Sequence, residues 1–136
     1  MTDEVLVHVS TDADVVAARE KGRELSARLG FSSIDLTLIV TAISEVARNI
    51  LLYAQEGEIV LRVDGDGARP GIIVEARDEG PGIPDLELAM RDSFSTGNGL
   101  GLGLPGARRL MDEFEIQSEI SKGTTVVMKK WAPDRV

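Results

Sequence analysis

The chain has no cysteine and a single histidine, His8. Disulfides, thiol catalysis and thiolate metal sites are therefore excluded, and so is a zinc site built from several histidines. The lack of cysteine suits a reducing cytoplasm. No run approaches the ~20 apolar residues that a membrane span needs, so no membrane association is expected. The acidic start, Met1-Thr2-Asp3-Glu4, carries neither the basic nor the apolar region of a signal peptide. Positive charge is also in short supply: the formal net charge is −8. That balance disfavours nucleic acid as a partner. An anionic ligand would need a local remedy, such as backbone N–H groups, a helix N-terminus or a metal ion.

What is present fits one domain. The 136 residues match the size of a single folding unit, expected to span 1–136. A partner or substrate domain is then expected on another chain. Hydrophobic residues make up 43% and charged residues 28%, as in soluble globular proteins.

Residues Glu4 to Ser10 alternate, with Val5, Val7 and Val9 on one side, and predict a strand. Thr11-x-x-Asp14 is a capping-box variant opening a helix through Val15, Ala18, Gly22, Leu25 and Leu29, with Gly30 at the C-cap glycine position. Ser32-x-x-Asp35 opens a longer helix to about Ala54. After Gly57 the period becomes two. Ile59 to Val63 and Ile72 to Ala76 predict a hairpin, followed by a loop and a short helix near Asp85 to Arg91. Leu104 to Glu113 predicts a helix, and Ile116 to Ile120 with Thr124 to Trp131 a final hairpin. The expected fold is an α/β (α+β) two-layer sandwich: a mixed, mostly antiparallel sheet with helices on one face. The hairpins exclude an all-parallel sheet.

Four clusters could carry chemistry. Glu45 and Asn49 are four apart and share one otherwise apolar face of the long helix. Such a pair could serve helix packing. It could also be a metal-and-base pair, with the Asn49 amide oxygen a hard ligand for Mg²⁺ and Glu45 orienting or deprotonating a hydroxyl. Asp78-Glu79-Gly80-Pro81-Gly82-Ile83 could be a plain turn. Alternatively, Asp78 accepts from the exocyclic amine of adenine and repels the carbonyl of guanine, while Gly80 and Gly82 let the backbone approach a flat ring. Gly97 to Gly103 alternates glycines before a helix. It is either an exposed mobile loop or a phosphate-binding lid, in which Gly99, Leu100, Gly101, Leu102 and Gly103 present N–H groups and Ser95 and Thr96 hydroxyls. Gly123-Thr124-Thr125 alone is an ordinary hairpin start, and His8 an ordinary strand residue.

In combination and in this order, the motifs resemble the GHKL ATPase superfamily. They are Glu45-x-x-x-Asn49, Asp78-x-Gly80-x-Gly82, Gly99-Leu100-Gly101-Leu102-Gly103 and Gly123-Thr124. The resemblance implies the Bergerat fold and a site for ATP with Mg²⁺. Within that superfamily the chain is similar to the small switch-protein serine/threonine kinases of the RsbT type. The similarity lies in Asp14–Arg19, Thr41–Ile50, Asp78–Asp85, Phe94–Thr96 and Leu104–Phe114. The resemblance implies Glu45 as catalytic base, Asn49 as Mg²⁺ ligand and Asp78 as adenine anchor backed by Thr124. Gly80, Gly82 and Ile83 would line the pocket, and the Gly99–Gly103 box its lid. It further implies a STAS-domain antagonist in a stressosome as substrate and a PPM-type phosphatase as the partner activated on release. Leu102 within the glycine box also fits the histidine-kinase form. A sensor histidine kinase would however need a dimerising helix upstream, for which His8 leaves no room, and a topoisomerase or chaperone a transducer domain. The rival readings are an anti-sigma-factor kinase of the RsbW type and a non-catalytic binding module of the same fold.

Overall fold

The computed structural model describes residues 4–64, 70–83, 90 and 103–133. In chain order these form β1 (Glu4–Val9), α1 (Asp12–Arg28), α2 (Ser33–Ala54), β2 (Gly57–Asp64), β3 (Gly71–Asp78), α3 (Gly103–Leu110), β4 (Glu113–Glu119) and β5 (Gly123–Trp131). The expected helix at Asp85 to Arg91 falls largely outside the described residues.

Both long helices begin where the side chains can satisfy their free N–H groups. Thr11 Oγ1 accepts from Asp14 N at 3.3 Å while Asp14 Oδ2 accepts from Thr11 N at 3.1 Å, closing the predicted box. Ser32 Oγ accepts from Asp35 N at 3.1 Å. Gly30 follows α1 with φ +83°, the left-handed conformation that a helix-ending glycine adopts readily.

The five described strands are ordered β1-β2-β3-β5-β4, and every described pairing is antiparallel. The parallel component allowed for in a mixed sheet is thus not found among them. Strand periodicity sorts the faces. Ile59, Ala76, Val126 and Ile116 lie in one cross-strand row and Leu61, Val74, Met128 and Phe114 in the next. These rows pack into one core with Ile39, Ile43, Val46 and Ile50 of α2. The alternate positions carry Glu58, Arg62, Glu75 and Arg77, joined by the Arg62–Glu75 pair at 2.9 Å and the Arg77–Glu75 pair at 3.2 Å. α1 crosses α2 at Gly22, where a Cβ would overlap the Ile43 side chain.

Two expectations need correction. The 22-residue α2, with a mean hydropathy of 1.4 over its most apolar stretch, is long and apolar enough to cross a membrane. Half of that stretch is buried inside the protein, and its apolar stripe meets the sheet, so α2 is the central core helix. The last helix ends at Leu110, and Glu113 already belongs to β4. The cause is tertiary: Asp112 N donates to Lys129 O at 2.9 Å, and Lys130 Nζ donates to the helix-ending Leu110 carbonyl at 2.9 Å.

Candidate nucleotide-binding and catalytic site

The sheet delivers Asp78 to the site. Asp78 ends β3 opposite Thr124 of β5, which in turn faces Ser118 of β4. This polar row continues the apolar rows of the inner face. Asp78 Oδ1 accepts from Gly80 N at 2.9 Å and from Thr124 N at 3.3 Å. Thr124 is 5% exposed, and its hydroxyl lies 2.8 Å from that of Ser118. Ile83 N donates to Ser118 Oγ at 2.7 Å. Ser118 was missed in the sequence. Its signal was a polar residue at the inward position after Phe114 and Ile116, in the strand paired with Thr124.

The glycines after Asp78 answer first to the protein itself. Gly82 has φ +81°, and a Cβ there would overlap the Glu119 carbonyl oxygen. A Cβ on Gly80 would come within 2.5 Å of the Ala54 methyl group. Ser121 N also donates to Pro81 O at 2.9 Å. The loop is therefore clamped between the last turn of α2 and the β4–β5 turn. These contacts require the absence of a side chain at both positions before any ligand is considered.

Helix α2 carries the other two groups. The Glu45 side chain is 5% exposed, and its Oε1 accepts from Gly103 N, at the start of α3, at 3.0 Å. Its Oε2 lies 3.5 Å from Arg48 Nη1. Asn49 sits half-buried one turn further along and makes no side-chain hydrogen bond among the described residues. Glu45 is nine residues before Ala54, about 13 Å along a helix rising 1.5 Å per residue. One helix thus joins the loop after Asp78 to the start of α3, a span suited to an extended nucleoside triphosphate. Among the described residues no group of three or more His, Asp or Glu could hold a metal. A Mg²⁺ ion fits this donor set only as Mg²⁺ usually binds nucleotides, through one side chain such as Asn49 with phosphate and water oxygens completing the shell.

Ser95, Thr96, Gly99, Leu100, Gly101 and Leu102 lie outside the described residues. Of the glycine box only Gly103 is described, with φ +70°. A groove of about 650 Å³ also starts at Asp78, but it is lined by His8, Glu56, Glu58, Arg77 and Thr125. Most of these belong to the opposite sheet face, away from Glu45 and Asn49. His8 there faces Glu56 at 3.5 Å. On α1, Arg23 and Arg28 are exposed, whereas Arg19 is half-buried with its Nε enclosed and without a hydrogen bond.

Residues 34–134 match the family model described as "Histidine kinase-, DNA gyrase B-, and HSP90-like ATPase". The chain is 48% identical over 131 residues to the serine/threonine-protein kinase RsbT of Bacillus subtilis, covering 96% of this chain and 98% of that one. It is 34% identical over 112 residues to an anti-sigma F factor of Geobacillus stearothermophilus, covering 76% of this chain and 75% of that one. Among solved structures, one containing RsbU and RsbW domains from Mycobacterium tuberculosis superposes with a TM-score of 0.65 at 23% identity. The alignment covers 99% of this chain and 34% of that longer one, and supports the fold. With the inner-face row at Asp78 and the Glu45–Asn49 face in place, the chain belongs to the histidine kinase-, gyrase B- and HSP90-like ATPases, and within them to the serine/threonine-protein kinases of the RsbT kind.

Proposed function

We propose that this chain, as a single domain over 1–136, binds Mg²⁺-ATP along α2 and transfers its terminal phosphoryl group to a serine or threonine of a STAS-domain antagonist within a stressosome. On release it activates a PPM-type phosphatase, the whole cycle running in the cytoplasm. The observation that carries the reading is that one helix bridges two chemically distinct ends, the Asp78–Thr124–Ser118 row and the Glu45–Asn49 face.

At the first end, Oδ1 of Asp78 is held by two backbone N–H groups. No hydrogen bond reaches Oδ2 among the described residues, which leaves an acceptor for the exocyclic amine of adenine. The Thr124 and Ser118 hydroxyls back that edge. Gly80, Gly82 and Ile83 form the adjoining wall. At the second end, Asn49 would hold Mg²⁺, which supplies charge neutralisation at the phosphates. Glu45 would accept the proton of the attacking hydroxyl, and positioning does the remainder of the work in phosphoryl transfer. Ser95, Thr96 and the Gly99–Gly103 box would close over the phosphates.

The direct test is incubation with Mg²⁺-ATP and a STAS-domain partner, followed by mass spectrometry. Phosphoserine or phosphothreonine on the partner is expected, and an unmodified partner would remove the STAS-domain antagonist as the substrate. The similarity to anti-sigma F factors supports a second reading, an RsbW-type kinase that sequesters a sigma factor. A pull-down with sigma factor and phosphatase in parallel separates the two. Retention of sigma factor alone would overturn the proposed phosphatase-activating role.

A further inference from the structure

The base expected to act on substrate is bound to something else. Glu45 Oε1 accepts the Gly103 N–H at 3.0 Å. That N–H belongs to the first residue of α3, one of the helix-initial donors with no partner inside the helix. Its only partner among the described residues is therefore this carboxylate, placed where the helix dipole favours negative charge. The other end of α3 is held differently. Lys130 Nζ, on a residue 8% exposed, donates to the Leu110 carbonyl at 2.9 Å and pairs with Asp112 at 3.6 Å. Asp112 is tied to β5 by two further hydrogen bonds, to Lys129 O and from Trp131 N, each 2.9 Å. One end of the helix is thus anchored to the sheet by several bonds. The other is capped by a single residue that catalysis needs elsewhere.

We infer that Glu45 is a latch that alternates between two partners. Without nucleotide it caps α3 through Gly103. When a nucleoside triphosphate binds, a phosphate oxygen takes the Gly103 N–H and Glu45 turns to the substrate hydroxyl. One N–H cannot serve a carboxylate and a phosphate equally, and two anions packed at one helix start repel each other. A base must also come within hydrogen-bond distance of the proton it takes. The latch therefore couples readiness of the base to occupancy by triphosphate. This inference rests on the nucleotide reading above.

Amide hydrogen exchange followed by NMR on the full chain tests it. In nucleotide-free protein, Glu45→Ala should accelerate exchange at Gly103 about tenfold or more, the loss of one charge-assisted hydrogen bond. Amides near Leu110 and Lys130 should hold their rates and serve as the folding control. Adding Mg²⁺ with a non-hydrolysable ATP analogue should restore protection at Gly103 in Glu45→Ala. In the unsubstituted protein the analogue should shift the Gly103 resonance. Unchanged exchange at Gly103 in Glu45→Ala overturns the latch, as does acceleration spread evenly over the whole protein. Analogue binding that leaves the Gly103 resonance unmoved overturns the exchange of partners alone. Failure of the analogue to bind at all is read in the same titration and overturns the nucleotide reading with it.

Discussion

The two ends of α2 are built differently. At the Asp78 end, carboxylate, hydroxyls and backbone N–H groups already satisfy one another across three strands and a clamped loop. At the Glu45 end the carboxylate touches a helix start and a partly exposed arginine, and Asn49 has no partner among the described residues. The first is already ordered, which would lower the cost of binding a ligand there. The second is held by few bonds, which under the proposed latch are exchanged before chemistry. On the proposed reading, the contrast separates affinity from reactivity along a single helix.

The strongest way to break the comparison is Glu45→Ala. Phosphoryl transfer should fall by at least about a hundredfold, as expected for loss of a general base, while nucleotide affinity by calorimetry is spared. Transfer at the unsubstituted rate would remove Glu45 from the base role. Gly82→Ala attacks the clamped loop instead. A non-glycine residue at φ +81° that also overlaps Glu119 should lower stability by about 3 kcal/mol, read as a fall in thermal midpoint. A midpoint unchanged within error would mean that the loop is not tightly clamped. Asp78→Asn sharpens the contrast from the binding side. Loss of the charged acceptor should weaken ATP about ten- to a hundredfold and erode the preference over GTP. Equal loss of transfer at saturating ATP would contradict the separation of the two ends.

The smallest effect belongs to neither end. Asp14, on the α1 cap, is held below the usual carboxylate value of 3.8, chiefly by the Ser10 backbone N–H. A depressed folded-state pKa adds stability above the unfolded-state value and loses it as pH falls through the folded one. Asp14→Asn should therefore narrow the stability difference between neutral and acid pH slightly, in denaturant titrations from pH 6 down to about 3. Nucleotide affinity at neutral pH should not change.

Much of the fold was legible because its signals are local. Thr11, Ser32 and Gly30 stand at helix ends, and Val5, Val7, Ile59, Ile72 and Val74 keep strand period. The errors came where distant residues decide. Leu104 to Glu113 reads as one helix, but Lys130 and Lys129, far along the chain, stop it at Leu110 and pull Asp112 towards the sheet. Helix α2 is more apolar than its sequence was read to be, because the sheet covers its stripe and makes it a core helix. Candidate residues Glu45, Asn49 and Asp78 stood out as polar groups on apolar faces or after a buried strand. Ser118 did not, since its role depends on the register that sets it opposite Thr124.

The sequence by itself determined the order of elements, the family and the types of group available for binding and transfer. These follow from periodicity, caps and motif spacing, all of which act over a few residues or one helix face. Only the tertiary structure decided which atoms of those groups are engaged. It assigned Asp78 Oδ1 to the loop, the missing side chains of Gly80 and Gly82 to protein packing, and Glu45 to the Gly103 N–H. The physical reason is that most of these partners lie far apart along the chain, 46 positions for Asp78 and Thr124 and 58 for Glu45 and Gly103. Such contacts exist only once the sheet register and the helix packing are set.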